Sequence, residues 1–219
     1  MWVRDGAPNG SPPLRVVPDG SADIIWRDDG RAVTAVVAGP DTEAQLAPLA
    51  EGNRMVGIRF APGAADAVLG IPLDAVRDQR VPLGEVWGPI AEELAERVAL
   101  SDQPEAALAT AIQQRITAPP DPTAAAIARQ LEFAAGPGVV SDVADDVGVS
   151  ERQLQRRCRT AFGYGPKTLH RVLRFHRALR LARGGGRLAD VAAVVGYADQ
   201  AHMARDARRL AGVPLTDLL

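Results

Sequence analysis

The sequence predicts an α+β protein, in which a small antiparallel β domain with helices precedes an all-α domain of two helix-turn-helix units joined by a long helix. Three observations predict this class. Short apolar or alternating runs broken by turn residues fill the first 60 residues, and apolar residues at helical spacing follow them. One helix-turn-helix pattern then occurs twice near the carboxyl terminus. Strands followed by helices are typical of the α+β class.

Four short runs in the amino-terminal part have the length and composition of β-strands: residues 14–17, 22–26, 32–37 and 55–60. Asp29-Gly30 lies between the second and third runs and predicts a two-residue hairpin turn. Residues 1–13, which are rich in Pro, Gly, Asn and Ser after Trp2 and Val3, predict an irregular lead-in. So short a β segment favours a partial sheet, covered by the following helices or by a partner subunit, over a complete barrel.

Two helices are expected after the strands. Apolar residues recur at every fourth position, first at Ile90, Leu94 and Val98 and then at Leu108, Ile112 and Ile116. Pro104 separates the two series, and residues 118–122, Ala-Pro-Pro-Asp-Pro, predict a stiff linker. The expected organisation is a β-rich domain with helices at 1–117, a linker at 118–122 and a double helix-turn-helix domain at 123–219.

The first copy of the repeated pattern has the residues that a helix-turn-helix unit needs. Val143 and Ala144 begin the buried face of a short helix, and Gly148 suits the tight turn after it. Ser150 and Gln153 predict a capping box at the start of the second helix. The buried stripe of that helix is Leu154, Cys158 and Phe162, and its end is at Gly163.

The second copy repeats these features at an offset of 48 residues at the turn glycines and 49 from the caps onward, so its turn has one extra residue. Gly196 is the turn glycine and Asp199 the cap. The buried stripe is Met203, Ala207 and Ala211, and the helix ends at Gly212. A long helix at 166–183 joins the copies. Two such units in register favour a sequence-specific reader of duplex DNA.

The exposed face of the second helix in the first copy is basic and polar. It carries Arg152, Gln155, Arg156 and Arg159. Arginine pairs with guanine edges or with phosphates, and glutamine pairs with adenine. For a single helix, a solvated basic face is the more ordinary interpretation, but the duplicated pattern favours base reading.

At these residues the chain resembles the AraC/XylS family of transcription regulators, over about residues 122–219. The resemblance implies the following residues at the major groove: Arg152, Gln155 and Arg156 in the first unit, and Ala201, Ala204 and Arg205 in the second. Arg159 lies nearer the end of the first helix, and Gln200 and His202 flank the residues of the second, so we add these three to the candidate DNA contacts. Alanine cannot hydrogen-bond a base, although it can touch a thymine methyl. We therefore expect the first unit to carry most of the base discrimination.

The resemblance also implies an abbreviated cupin-like domain in the amino-terminal half, which senses an effector or mediates dimerisation. Segments 17–20 and 59–63 resemble those of family members. Four residues are candidates for an effector site: Trp26, Arg59, Phe60 and Trp87. The ordinary alternatives are core packing for the aromatic residues and an ion pair for Arg59. The implied partners are double-stranded DNA, a small-molecule effector, RNA polymerase and a second copy of the chain.

Charge separates the two halves of the chain. Residues 1–119 hold 10 basic and 17 acidic residues, net −7, and residues 120–219 hold 15 basic and 10 acidic residues, net +5. The stretch 149–180 alone has a net charge of +8. An acidic half joined to a basic half is expected of a DNA-binding protein with a separate sensing domain, although the whole chain is near neutral at −2.

Composition argues against an enzyme and against a membrane protein. All three histidines lie in the basic half, which excludes a histidine-ligated metal site within 1–119. That half has no phosphate-binding glycine loop and no Ser/His or Cys/His pair. The single cysteine, Cys158, fits a reducing cytoplasm, and no run approaches a membrane span. We expect a cytoplasmic, non-enzymatic protein without cofactor or metal.

Two hypotheses about function remain open on the sequence. The leading one is an AraC/XylS-type transcription regulator. The alternative is a non-catalytic small-molecule-binding or interaction protein with non-specific affinity for DNA. Two apolar stripes within 90–116 favour a homodimer, because self-association would bury them. In the alternative arrangement both helices fold onto their own sheet and leave a monomer.

Overall fold

The computed structural model describes residues 1–8, 10–48, 50–116, 119–136 and 138–219. The strands of its described amino-terminal part are β1 (Trp2–Asp5), β2 (Leu14–Val16), β3 (Asp23–Asp28), β4 (Val33–Ala38), β5 (Gln45–Ala47), β6 (Arg54–Arg59) and β7 (Arg80–Pro82). Five of these strands form an antiparallel sheet in the order β1-β6-β3-β4-β7, and β2 pairs with β5. The large sheet is open at β1 and β7, which confirms the prediction of a partial sheet.

Strand β3 lies at the centre of the sheet and pairs along its whole length with both neighbours. Trp26 stands opposite Ala35 of β4 and Val56 of β6. Ile24 and Trp26 are both buried, because alternate residues of a strand face the same side. The indole N–H of Trp26 donates to the Ala95 carbonyl at 3.2 Å and so ties the sheet to a helix above it.

The predicted irregular lead-in is wrong for its first residues, since Trp2–Asp5 forms the edge strand β1. Two contacts hold it there. The Trp2 indole N–H donates to Asp23 at 3.0 Å, and its ring lies where a side chain on Gly57 would stand. The Pro- and Gly-rich composition begins only after Asp5, so it gave no information on the strand that precedes it.

The predicted hairpin between the second and third runs is confirmed as β3–β4, but its turn is shifted by one residue. The Asp29 N–H donates to the Ala32 carbonyl at 3.3 Å, which leaves Gly30 and Arg31 at the tip. Gly30 has a φ of +77°, a conformation that glycine adopts without a steric penalty. The Asp29 carboxylate accepts from the N–H groups of Arg31 and Ala32 and stabilises this turn.

Helices cover the sheet within the same chain. They are α1 (Ala65–Leu69), α2 (Leu83–Trp87), α3 (Ile90–Ala99) and α4 (Pro104–Arg115), with a 3₁₀ turn at Leu73–Val76. Helix α3 packs on β4 and α4 packs on β6. Their stripe residues Leu94, Val98, Leu108 and Ile112 share one core with Ile24 and Trp26. Pro104 is the first residue of α4, where proline suits the first helical turn.

This packing corrects the argument for a homodimer. The stripes of α3 and α4 are covered by their own sheet, so they need no partner subunit. Only the outermost stripe residues, Ile90 and Ile116, are exposed. Dimerisation itself stays a prediction without this support.

The described helical part contains α5 (Pro122–Phe133), α6 (Val139–Asp146), α7 (Glu151–Phe162), α8 (Pro166–Arg183), α9 (Leu188–Val194) and α10 (Gln200–Ala211), with a 3₁₀ turn at Leu215–Leu218. Helix α8 has 18 residues and packs against α5, α7, α9 and α10. The predicted long helix and both predicted helix pairs are confirmed. None of the described helices has the length and the apolar composition that spanning a bilayer requires.

The predicted linker at 118–122 is described only in part. Ala118, like Thr117 at the end of the expected first domain, lies outside the described residues. Asp121 accepts from the Thr123 N–H at 2.8 Å and caps α5, whose first residue is Pro122. The end of the proline-rich segment therefore begins a helix, because the fixed φ of proline suits the first helical position.

Candidate nucleic-acid interface

The turn and the caps of the first helix-turn-helix unit form as the sequence predicts. Gly148 has a φ of +69° in the turn before α7. Ser150 Oγ accepts from the Gln153 N–H at 3.3 Å, and Gln153 Oε1 accepts from the Ser150 N–H at 2.8 Å, which completes the capping box. Gly163, with a φ of +80°, ends the helix. These local contacts decide which residues of α7 face outward.

The second unit is built in the same way around α10. Asp199 Oδ1 accepts from the His202 N–H at 2.6 Å. Gly196 and Gly212 have φ values of +82° and +71°. The predicted stripes are buried in both units: Leu154, Cys158 and Phe162 in α7, and Met203, Ala207 and Ala211 in α10. The opposite faces of α7 and α10 are therefore the two candidate reading surfaces.

The reading surface of α7 carries four predicted residues. Arg152, Arg156 and Arg159 are exposed, whereas Gln155 is half-buried. The amide of Gln155 lies where a side chain on Gly165 would stand, so it packs against the segment that leads into α8. The three guanidinium groups surround this anchored amide on one side of the helix.

The reading surface of α10 is less polar. Gln200, Ala201 and Arg205 are exposed, and Ala204 is half-buried. His202 is also half-buried, because its ring packs edge-on against the Tyr197 ring with 5.0 Å between centroids.

Arg208 was missed by the sequence analysis. It is exposed and lies one turn beyond Ala204, on the same side of α10. At the offset of 49 residues it matches Arg159 of the first unit. The repeat itself therefore carried the signal that finds it.

Internal pairing separates two groups of arginines. All five arginines of α8 make contacts within the protein: Arg171 and Arg174 with Asp206, Arg177 over the Phe133 ring, Arg180 with Glu132, and Arg183 with the Leu218 carbonyl. By contrast, no hydrogen bond or ion pair within the described residues engages the side chains of Arg152, Arg156, Arg159, Arg205, Arg208 and Arg209. Unpaired guanidinium groups on an exposed face can bind phosphates or base edges.

A buried carboxylate, Asp206, fixes α10 on α8. Arg174 donates to it at 3.0 Å, and Arg171 lies 3.8 Å away. The Arg174 guanidinium also lies 4.0 Å from the centroid of the Tyr197 ring. Sequence reasoning missed Asp206, because a lone acid on an arginine-rich helix is typical of a solvated surface. Its partners lie on another helix, so the sequence around it carries no signal for the pair.

Positive charge extends from α7 into a cleft of about 570 Å³ next to the amino-terminal part. Arg152 and Arg159 line it from α7, Lys167 from the start of α8, and Thr42 and Arg77 from the amino-terminal part. Lys167 has no partner within the described residues. The cleft continues the basic surface beyond the helix-turn-helix units.

The four candidate effector residues have ordinary structural surroundings. Trp26, Phe60 and Trp87 are buried in one core with the helices above the sheet. Arg59 is paired with Asp19 at 2.8 Å and with Asp23 at 3.1 Å. These contacts are those of core packing and of an ion pair. A role in effector binding stays a prediction for all four residues.

Burial favours the neutral form of several titratable residues of the helical part, among them Cys158 and His170. Burial raises the pKa of the Cys158 thiol to about 12, so it stays protonated. Burial lowers the pKa of His170, whose Nδ1 lies 2.8 Å from the Leu131 carbonyl. Because that carbonyl only accepts, Nδ1 carries the proton in this contact.

Two capped helix pairs with basic outer faces, joined by a long helix, define a double helix-turn-helix protein. Residues 143–219 match the family model of a helix-turn-helix domain, and residues 1–82 match a domain of unknown function (DUF6597). No curated protein matches the chain. The carboxyl-terminal part is a helix-turn-helix domain of AraC type, a DNA-binding domain of transcription regulators, which confirms the resemblance that the repeat predicts.

The comparison with solved structures finds ToxT from Vibrio cholerae O395. One of them, bound to (E)-4-(8-methylnaphthalen-1-yl)but-3-enoic acid, is 10% identical, covers 100% of this chain and 97% of that chain, and has a TM-score of 0.50. A second ToxT structure is 10% identical, with 99% of this chain and 95% of that chain covered and a TM-score of 0.49. At 10% identity, the similarity to the ligand-bound ToxT structure concerns the fold alone. That fold is the predicted α+β arrangement.

Proposed function

We propose that the protein is a sequence-specific regulator of transcription that binds duplex DNA through α7 and α10. One observation carries the proposal. Two helices with equivalent caps expose unpaired arginines, while all five arginines of the long helix between them are engaged internally. Since both helices belong to helix-turn-helix units, each enters the major groove, and the two occupy adjacent segments of one duplex.

The residues of each reading surface divide into base and phosphate contacts. In α7, Arg152, Gln155 and Arg156 contact bases, and Arg159 binds phosphate near the helix end. In α10, Gln200, Ala201, His202, Ala204 and Arg205 face the bases. Arg208 binds phosphate at the place that matches Arg159. The higher polarity of the first set supports α7 as the main reader.

Selection of binding sites from a random duplex pool tests this function. We expect an enriched motif with two segments, and binding to it should survive raised salt and random competitor, because specific contacts add to the salt-sensitive phosphate contacts. Equal affinity for all duplexes would overturn the proposal and favour the alternative, an interaction protein with non-specific DNA affinity.

The amino-terminal part has a regulatory role in this proposal: it senses a small-molecule effector or mediates dimerisation, with RNA polymerase as a further partner at the promoter. Its net negative charge disfavours contact with DNA and supports a separate role. A dimer needs a surface other than the covered stripes of α3 and α4. Sedimentation of the full chain at micromolar concentration decides between monomer and dimer.

A further inference from the structure

The amino-terminal part reaches the carboxyl-terminal ends of both reading helices, with one arginine at each end. Arg77 Nη1 donates to the Gly163 carbonyl at 3.2 Å, where α7 ends. Arg15 Nη1 donates to the Ala211 carbonyl at 2.8 Å, where α10 ends. The last carbonyls of a helix have no partner within the helix and carry partial negative charge, so a guanidinium group stabilises them. At the repeat offset of 49 residues Gly163 corresponds to Gly212, so the Arg15 contact at Ala211 lies one residue before the equivalent position.

Other contacts hold the same two helix ends. Gly163 packs against Pro40 and the Leu73 carbonyl so closely that a side chain there would collide with the proline ring. At the end of α10, the Ala44 N–H donates to the Leu210 carbonyl at 2.8 Å. The amino-terminal part therefore contacts both reading helices at matching places.

The two segments that resemble family members, 17–20 and 59–63, also lie at this contact. A Cβ at Gly20 would lie 3.4 Å from methyl groups of Leu169 and Leu173 on α8. A Cβ at Gly63 would lie 3.1 Å from the ring of Phe162, the last residue of α7. The close approach of both segments to the helical part gives a structural reason for their glycines. Formation of the sheet does not require these glycines.

We propose that Arg15 and Arg77 are positioning residues that set the distance and orientation between α7 and α10, and with them the spacing of the two DNA segments that the protein prefers. This rests on the proposed function. Helix α8 packs against α7 of the first unit and against α9 and α10 of the second. The arginine contacts add a second connection at the far ends of the reading helices. Because each added base pair rotates one segment by roughly 34° about the duplex axis, a fixed pair of helices tolerates little change in spacing.

A distance measurement without DNA tests the positioning directly. Spin labels go on Thr160→Cys and Arg209→Cys, which are exposed, equivalent positions of α7 and α10. The native Cys158 is 0% exposed and stays an unlabelled thiol. Pulsed electron paramagnetic resonance should give a narrow distance distribution with Arg15 and Arg77 present. The distribution should widen or shift in Arg15→Ala/Arg77→Ala.

Matched variants separate positioning from charge and from folding. Arg31→Ala removes an exposed arginine of the amino-terminal part whose side chain forms no hydrogen bond or ion pair with the described residues, and it should leave the distribution unchanged. Arg77→Lys keeps a cationic donor and should restore part of the narrow distribution. Each single alanine variant is measured as well, and thermal unfolding confirms that each is folded. Identical distributions in folded double-variant and parent proteins would overturn the proposal.

A spacing series links the contacts to DNA. The selected motif is rebuilt with base pairs inserted or removed between its two segments. In the double variant, we expect the ratio of affinities for preferred and shifted spacing to fall by about threefold or more, the size expected for loss of charge interactions at helix ends. An unchanged ratio would contradict the positioning role. If the parent protein binds no site specifically, the proposed function fails, while the distance measurement still decides the role of the arginines.

Discussion

Arg156 and Arg174 are both arginines of the helical part, yet their surroundings are opposite. Arg156 is exposed, with no partner among the described residues. The side chain of Arg174 is 13% exposed and is enclosed between Asp206 and the Tyr197 ring. A guanidinium group that already contacts a carboxylate and a ring gains little from phosphate, so Arg174 serves stability. Arg156 has no such partner, which supports its proposed role in binding.

Replacement of Arg156 tests base reading. Arg156→Ala should cost about 1–3 kcal/mol on the preferred site and relax specificity at one base pair. Arg159→Ala should weaken all duplexes evenly and reduce the salt dependence, because we place it at phosphate. Titrations against a panel of single-substituted duplexes measure both effects. Arg129→Ala, an exposed change on α5, serves as the control. An unchanged ranking of sites in Arg156→Ala would show that it does not read a base.

Replacement of Asp206 tests the buried pair. Asp206→Ala leaves Arg174 largely enclosed without its carboxylate, so we expect a loss of about 3 kcal/mol in the free energy of unfolding. Urea denaturation followed by circular dichroism gives this value. The exposed Asp217→Ala is the matched control, with an expected change within about 0.5 kcal/mol. Equal stability of the two variants would mean that the pair adds nothing.

Among the secondary-structure elements, α7 and α10 show how one motif yields unequal surfaces. Both have a side-chain cap, a glycine end and a buried stripe, so their outward faces match position by position. Arg152 and Gln155 of α7 correspond to Ala201 and Ala204 of α10. Arg159 and Arg208, which we propose as phosphate contacts, occupy equivalent positions in the two helices. In this proposal the second helix keeps its phosphate contact but offers fewer hydrogen bonds to bases.

This inequality predicts an asymmetric binding site. Scrambling the bases under α10 should cost less affinity than scrambling those under α7, because two alanines form no hydrogen bonds with bases. Arg208→Ala should weaken all duplexes evenly, as Arg159→Ala does. Sequencing of the selected pool measures the information in each segment. Equal information in both would assign full reading roles to Gln200, His202 and Arg205.

At the scale of the whole molecule, two cores meet at the ends of the reading helices. One core lies between the sheet and α3–α4, and the other surrounds α8. Val17 of the amino-terminal part packs on the second core, and the 3₁₀ turn at Leu73–Val76 packs on α7. These contacts connect the amino-terminal part to the helical core and directly to α7.

The stability of the molecule should depend on pH through His170. Burial lowers the pKa of His170 in the folded state, so below about pH 6.5 the unfolded chain binds a proton that the folded protein does not. Stability should therefore fall as the pH drops through 6.5 and continue falling to the lowered folded-state pKa. In His170→Asn, which keeps a donor for the Leu131 carbonyl, this loss should be smaller. Urea denaturation between pH 7 and pH 5 measures it, and identical slopes in both proteins would refute the assignment.

What the sequence determined by itself is local. The caps, turn glycines and buried stripes of α7 and α10 depend on residues within a few positions of one another, so each could be predicted from its own segment. The strands of the β3–β4 hairpin follow for the same reason. These features located the candidate reading surfaces. The repeat offset of 49 residues also carried the signal for Arg208, although the sequence analysis missed that residue.

Only the tertiary structure decided which polar groups are already engaged. Arg15 contacts Ala211, which is 196 positions away in the chain. Trp2, in the edge strand that composition did not predict, contacts Asp23. Long-range packing also decides which residues pair with the α8 arginines and with the buried Asp206. It likewise places the sheet against α3 and α4. The partner of such a side chain depends on where distant segments of the chain meet. The local sequence around the side chain therefore does not predict it.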